Sequence, residues 1–142
     1  MHKNNIIISD NTTGSSGGGI SMLWSDPILT NVVISNNEAA ITGGGIIISN
    51  SSPIITNSII SNNTGFYGGG IYLNQSNPIL TNVTIANNVA DYSGGYYRNS
   101  SNGQFTNCIV YHNTEPYFSA YSVTYSDIDG GHSGTGNIDS DP

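Results

Sequence analysis

Apolar residues in this chain fall in short bursts that alternate with small polar ones. Ile46-Ile47-Ile48-Ser49, Ile54-Ile55-Thr56 and Ser58-Ile59-Ile60-Ser61 are each bounded by Gly, Pro or Asn. No apolar spacing of 3.6 residues runs through them, and β-branched residues dominate, so they predict strands rather than helices. Three short strands form a unit: one after a glycine run (Ile46 to Ser49), one after a proline (Ile54 to Thr56), and one after an asparagine (Ser58 to Ser61).

The unit recurs every 25 to 26 residues. Gly17-Gly18-Gly19-Ile20 returns as Gly43-Gly44-Gly45-Ile46 and Gly68-Gly69-Gly70-Ile71, then fades to Ser93-Gly94-Gly95-Tyr96. In step with it run Thr30-Asn31-Val32-Val33-Ile34-Ser35-Asn36-Asn37, Thr56-Asn57-Ser58-Ile59-Ile60-Ser61-Asn62-Asn63 and Thr81-Asn82-Val83-Thr84-Ile85-Ala86-Asn87-Asn88, with a drifted copy from Thr106. Pro27, Pro53 and Pro78 hold one column; Ser25, Ser51, Ser76 and Ser101 hold another. A fixed period of this length predicts a solenoid, each unit being one turn. Equivalent strands of successive turns then lie side by side about 4.8 Å apart in parallel sheets, and every residue stacks on its counterpart. The expected fold is all-β, with four to five turns over residues 4–113. Residues 114–142 break the period and are expected to form an irregular segment, a partial cap rich in Tyr117, Tyr121 and Tyr125.

Three columns should point inward: Leu29, Ile55, Leu80 and Phe105; Ile34, Ile60, Ile85 and Val110; Ile20, Ile46, Ile71 and Tyr96. The column Asn5, Asn31, Asn57, Asn82 and Asn107 marks a bend, since Asn tolerates the left-handed backbone. Amides stacked in that column predict a ladder that satisfies polar groups the bend would bury. Cys108 shares a column with Ile6, Val32, Ser58 and Val83 and reads as a small buried hydrophobe.

The alternation of a Gly-Gly-Gly-Ile box with a Pro-x-x-Thr-Asn-x-x-Ile-x-x-Asn box resembles the right-handed parallel β-helix repeats of pectate-lyase-like proteins. It is similar in particular to repeats of bacterial surface proteins such as the polymorphic outer-membrane protein family. Val33, Ile59 and Thr84 depart from the aromatic expected there. The tail from Tyr125 to Gly131 and from Gly136 to Pro142 is similar to the segment that follows the helix in secreted proteins of this kind. The resemblance implies a right-handed coil, an extracellular or cell-surface location, and adhesion or contact with polysaccharide. It also implies an alternative, a fragment of a polysaccharide lyase or glycoside hydrolase working through clustered acids, Ca²⁺ and an Arg base.

Charge narrows the choice. Two Lys/Arg against nine Asp/Glu give a net charge of −7, which excludes a polyanion-binding surface and hence nucleic acid as a partner. Asn (20), Ser (20) and Gly (18) make up 58 of the 142 residues, a composition that would suggest disorder without the 20 regularly placed Ile. No apolar run reaches the roughly 18 residues of a membrane span. The chain enters the repeat in mid-turn at Asn4, so it reads as part of a longer protein whose leader would lie elsewhere. The acids of the repeats, Asp10, Asp26, Glu38 and Asp91, are scattered over turns, and Arg98 replaces an inward Leu73. No catalytic residue is therefore assigned, and the leading expectation is a non-catalytic stalk or recognition surface for glycan or another surface protein.

Three further groups carry candidate chemistry. Tyr67, Tyr72, Tyr92 and Tyr97, with Tyr96 beside them, gather near the glycine corner, where exposed rings could stack on sugars. Ile28, Ile54 and Ile79 with Thr30, Thr56, Thr81 and Thr106 should face outward as a regular grid, which resembles the flat faces of ice-binding β-solenoids, a second alternative. Asp127, Asp129, Asn137, Asp139 and Asp141 are hard oxygen donors among glycines and form a possible Ca²⁺ site, although the spacing is not that of an EF-hand. His2, His112 and His132 are too scattered for a transition metal.

Overall fold

A chain that changes direction every five to seven residues must spend residues on corners, and this one spends a single left-handed residue at each. In the computed structural model, which describes residues 5–114, 120 and 122–140, four such columns recur in every full turn. They are Gly17, Gly43, Gly68 and Ser93; Trp24, Asn50, Gln75 and Ser100; Asn31, Asn57, Asn82 and Asn107; Asn36, Asn62, Asn87 and His112. Four corners require four strands. The three expected ones are present, and a fourth lies between the post-asparagine strand and the glycines.

In chain order the strands are β1 (Ile6–Ser9), β2 (Thr12–Thr13), β3 (Ile20–Leu23), β4 (Ile28–Thr30), β5 (Val32–Ser35), β6 (Glu38–Thr42), β7 (Ile46–Ser49), β8 (Ile54–Thr56), β9 (Ile59–Ser61) and β10 (Thr64–Tyr67). They continue as β11 (Ile71–Asn74), β12 (Ile79–Thr81), β13 (Thr84–Ala86), β14 (Val89–Tyr92), β15 (Tyr96–Asn99), β16 (Gln104–Thr106), β17 (Ile109–Tyr111), β18 (Ser122–Thr124) and β19 (Asp127–Ile128). All pairings between them are parallel and build four sheets. The proline sheet is β4-β8-β12-β16-β18; the asparagine sheet is β1-β5-β9-β13-β17-β19; the bridging sheet is β2-β6-β10-β14; the glycine sheet is β3-β7-β11-β15. The bridging sheet escapes sequence reading because Glu-Ala-Ala-Ile-Thr, Thr-Gly-Phe-Tyr and Val-Ala-Asp-Tyr share almost no residue. It also absorbs the change of period. Thr64 stands in register with Glu38 and Tyr67 with Thr42, so Ala40 and Ile41 together oppose Phe66 in a bulge.

The core is the stack of inward columns. Ile55, Leu80 and Phe105, Ile34, Ile60 and Ile85, and Ile46 and Ile71 are at most 1 % exposed. Leu29 and Ile20 are only partly buried, because they belong to the first described turn and are covered on one side. Two more inward columns complete the section: Met22, Ile48 and Leu73, and Val32, Ser58, Val83 and Cys108. Tyr96 packs edge-on against Phe105, with centroids 5.0 Å apart.

The tail is more regular than expected. β18 pairs with β16 and β19 with β17, so Val123 stacks on Phe105 and Ile128 on Val110, both buried. This shortened turn reaches the same columns after 18 residues instead of 25. The segment behind it returns alongside β19: Ile128 N–H donates to the Ile138 carbonyl and Ile138 N–H to that of Ser126. Tyr117 and Tyr121 lie outside the described residues.

Candidate functional site

Two asparagine ladders stand at neighbouring corners and do different work. At the corner between the proline and asparagine sheets, Asn31, Asn57, Asn82 and Asn107 hold φ of 51 to 58°. The expected amide ladder is present, with its side chains toward solvent: a left-handed residue inserted in the alternation leaves both it and the preceding Thr on the outer side. Asn82 donates to the Oδ1 of Asn57 and Asn107 to that of Asn82, each at 2.9 Å. Asn5, at the head of the column, is exposed.

The ladder that satisfies buried groups is six residues on, at Asn11, Asn37, Asn63, Asn88 and Asn113. The side-chain Nδ2 of each of the first four donates to the next Oδ1 at 2.9 to 3.0 Å. Each backbone N–H of Asn37, Asn63 and Asn88 donates to that same oxygen at 3.0 Å. The second amide hydrogen is taken by a carbonyl of the neighbouring turn: Ile8, Ile34, Ile60 and Ile85 accept from Asn37, Asn63, Asn88 and Asn113 at 2.9 to 3.0 Å. The signal was the second Asn of each Asn-Asn pair. Ser51, Ser76 and Ser101 form a parallel inner ladder, each accepting from the backbone N–H of the column residue one turn earlier at 3.0 to 3.1 Å.

The tyrosines meet across the corner between the bridging and glycine sheets. Tyr67 and Tyr92 stack at 4.8 Å, Tyr72 and Tyr97 at 5.5 Å, and Tyr67 joins the two pairs through Tyr97 at 5.2 Å. Phe66, which sequence reading passed over, packs edge-on against Tyr67 and Tyr92 at 4.8 and 5.3 Å. Tyr92 is 51 % and Phe66 41 % exposed. Partial burial, with Tyr97 close by, raises the Tyr72 phenol above its ordinary range. Tyr96 lies in the core instead, its phenol pushed up to about 12 by desolvation.

On the proline sheet, Ile28, Ile54 and Ile79 form one outward column, continued by Gln104 and Ser122. Thr30, Thr56, Thr81, Thr106 and Thr124 form the other. Hydroxyls of this column engage one another, Thr30 with Thr56 at 3.0 Å and Thr106 with Thr124 at 3.3 Å.

Among the described residues, the acids do not converge into a cluster. Glu38 stands in register with Thr12 and Thr64; Asp26 accepts from Ser52 N–H across a turn at another corner; Asp91 lies beside the aromatic corner. Arg98 sits in the column of Met22, Ile48 and Leu73 but is exposed, donating to the Ser101 carbonyl at 2.9 Å. In the tail, Asp127 accepts from Ser140 N–H and hydroxyl at 3.0 and 2.8 Å, Asp129 from His112 N–H at 3.2 Å, and the Asn137 amide donates to the Val123 and His132 carbonyls. These donors hold the tail to the last turn rather than facing a common point. Asp141 lies outside the described residues. Among the described residues no three His, Cys, Asp or Glu side chains are placed to hold a metal ion. Cys108 is buried, its Sγ 3.4 Å from the Thr106 carbonyl oxygen, and desolvation pushes its thiol up.

A family model described as the right-handed beta helix region matches residues 2–135. No curated protein and no solved structure matches the chain significantly.

Proposed function

Because the chain belongs to the right-handed β-helix family, we propose that it works as a non-catalytic recognition scaffold, an extracellular β-helix segment that contacts glycan through its aromatic corner. One observation carries this reading: five rings from β10, β11, β14 and β15 gather at a single corner, and Tyr92 and Phe66 keep large exposed surfaces there. Stacked neighbours on successive turns fix each ring's orientation before any ligand arrives, which lowers the ordering cost of binding. Ring surface beside hydroxyls suits the alternating apolar faces and polar edges of sugars. The four-sided coil supplies rigidity, since each turn's backbone is bonded to the next.

The test is a glycan array read with the intact chain and with Tyr92→Ala, alongside incubation with oligogalacturonate. Retained glycans are expected to bind at least about tenfold more weakly to the variant, and the oligogalacturonate is expected to stay uncut. Turnover of that substrate, or an array on which the Tyr92→Ala signal equals that of the parent, overturns the proposal.

A further inference from the structure

The aromatic corner offers more than ring surface, because a carboxylate stands among the rings. On the bridging sheet Thr64 pairs with Val89, Gly65 with Ala90 and Tyr67 with Tyr92, which sets Asp91 opposite Phe66 on the neighbouring strand. Asp91 is exposed, directly precedes Tyr92, and meets no hydrogen-bond or ion-pair partner among the described residues. Asp26, Asp127 and Asp129 each accept from a backbone N–H of a neighbouring turn or of the tail; Asp91 holds nothing in place.

The rings around it are crossed. Phe66 meets Tyr67 at 88° and Tyr92 at 68°, whereas Tyr67 and Tyr92 lie at 21° to each other. They form a notch of faces rather than a single plane. A planar ligand stacks on one face; a cationic centre has no plane of its own and is drawn to the negative face of every ring it reaches. A carboxylate at the rim adds attraction for the same charge, and the apolar rings beside it lower the local screening by water.

The wider field has the same sign. The chain carries two Lys/Arg against nine Asp/Glu, and Glu38 projects from the same sheet on β6, in register with Thr64. Arg98, on β15, reaches past the far end of that strand to donate to the Ser101 carbonyl at 2.9 Å. Such a field concentrates cations and repels anionic sugars.

We infer that the aromatic corner recognises an ammonium centre carried by its glycan, either a sugar amine or a trimethylammonium substituent, held against the faces of Phe66 and Tyr92 with Asp91 as counter-ion. The inference rests on the glycan reading of this corner and adds the chemical class that the corner selects.

The intact chain is titrated calorimetrically with a glucosamine trisaccharide and with its N-acetylated counterpart, which keeps the sugar rings and loses the charge. The buffer is held at about pH 6, where an amine of this kind is protonated. Choline is titrated alongside its uncharged isostere, in which carbon replaces nitrogen. The charged member of at least one pair is expected to bind about tenfold more tightly than the neutral one. The trisaccharides report a sugar amine and the choline pair a trimethylammonium group. Asp91→Asn, an exposed change that keeps the side-chain shape, is expected to cut that ratio at least about threefold. Tyr92→Ala is expected to weaken the charged member by a similar factor. Asp26→Asn removes the same charge at another corner, in a column where Asn77 and Asn102 already stand, and is expected to leave the ratio unchanged.

Equal affinities within both pairs overturn the inference; if Tyr92→Ala then weakens both trisaccharides alike, the glycan reading survives it. A preference that persists undiminished in Asp91→Asn also overturns it, as does one that falls equally far in Asp26→Asn, which would make the effect one of net charge. If neither pair binds at millimolar concentration the inference falls as well, and the glycan array alone decides the broader reading.

Discussion

A non-glycine residue in the left-handed region costs roughly 1–2 kcal/mol unless its surroundings repay it, and this chain places three in each turn that begins with Gly17, Gly43 or Gly68 and four in the turn where Ser93 replaces the glycine. Asparagine lowers that cost through its short polar side chain, and the residues beside it do the rest. The inner ladder illustrates the scale. Asn63 accepts from two donors of Asn37 and gives its own hydrogens to Ile34 O and Asn88 Oδ1. Replacing it with Ala strands a buried N–H and a buried carbonyl, each worth about 1–3 kcal/mol. Asn63→Ala is therefore expected to lower stability by more than about 3 kcal/mol, whereas Asn82→Ala, on the outer ladder, costs about 1 kcal/mol. Urea midpoints of the two variants measure this; equal shifts would refute the distinction between ladders. Which asparagine was left-handed was legible from Thr-Asn-x-x-Ile. Which was buried was not, because a corner residue resets the in-out alternation that sequence reading counts on.

At the scale of elements, the strands were legible wherever one column repeated one residue. Ile46 to Ser49 and Ile54 to Thr56 matched to the residue, and the third strand begins at Ile59. The bridging strand was not, since its inward positions, Ala39, Gly65 and Ala90, are small and its outward ones differ turn by turn. Small residues are required there because the glycine run passes close by. A Cβ on Gly44 would meet the Thr64 carbonyl oxygen at 2.2 Å and that of Gly69 at 2.6 Å. Gly44→Ala is accordingly expected to destabilise by about 3 kcal/mol. Gly14→Ala, where a Cβ would find nothing within 4 Å, should stay within about 0.5 kcal/mol. Calorimetric melting of both variants checks the pair, and a tolerated Gly44→Ala would mean that the bridging and glycine sheets are not packed backbone to backbone.

For the whole molecule, each turn touches only its neighbours, so stability is a sum of turns and interfaces. Amides of Ile48, Ile60 and Leu73, bonded between complete turns, are expected to exchange orders of magnitude more slowly than those of Ile8 and Ile128 near the two ends. Hydrogen exchange followed by mass spectrometry reads this gradient; uniform protection would instead indicate one all-or-none unit. The period alone made the coil legible, but the tail was hidden because its turn shortens to 18 residues and keeps only the column residues. The opposite change, one residue too many, is taken up at Ala40 and Ile41 opposite Phe66, while the asparagine and serine columns on either side stay in step. That bulge marks a seam where the circumference can grow without unwinding the stack. Added loops grafted there would hang beside the aromatic corner, giving the scaffold a place to acquire new specificities while its spine stays unaltered.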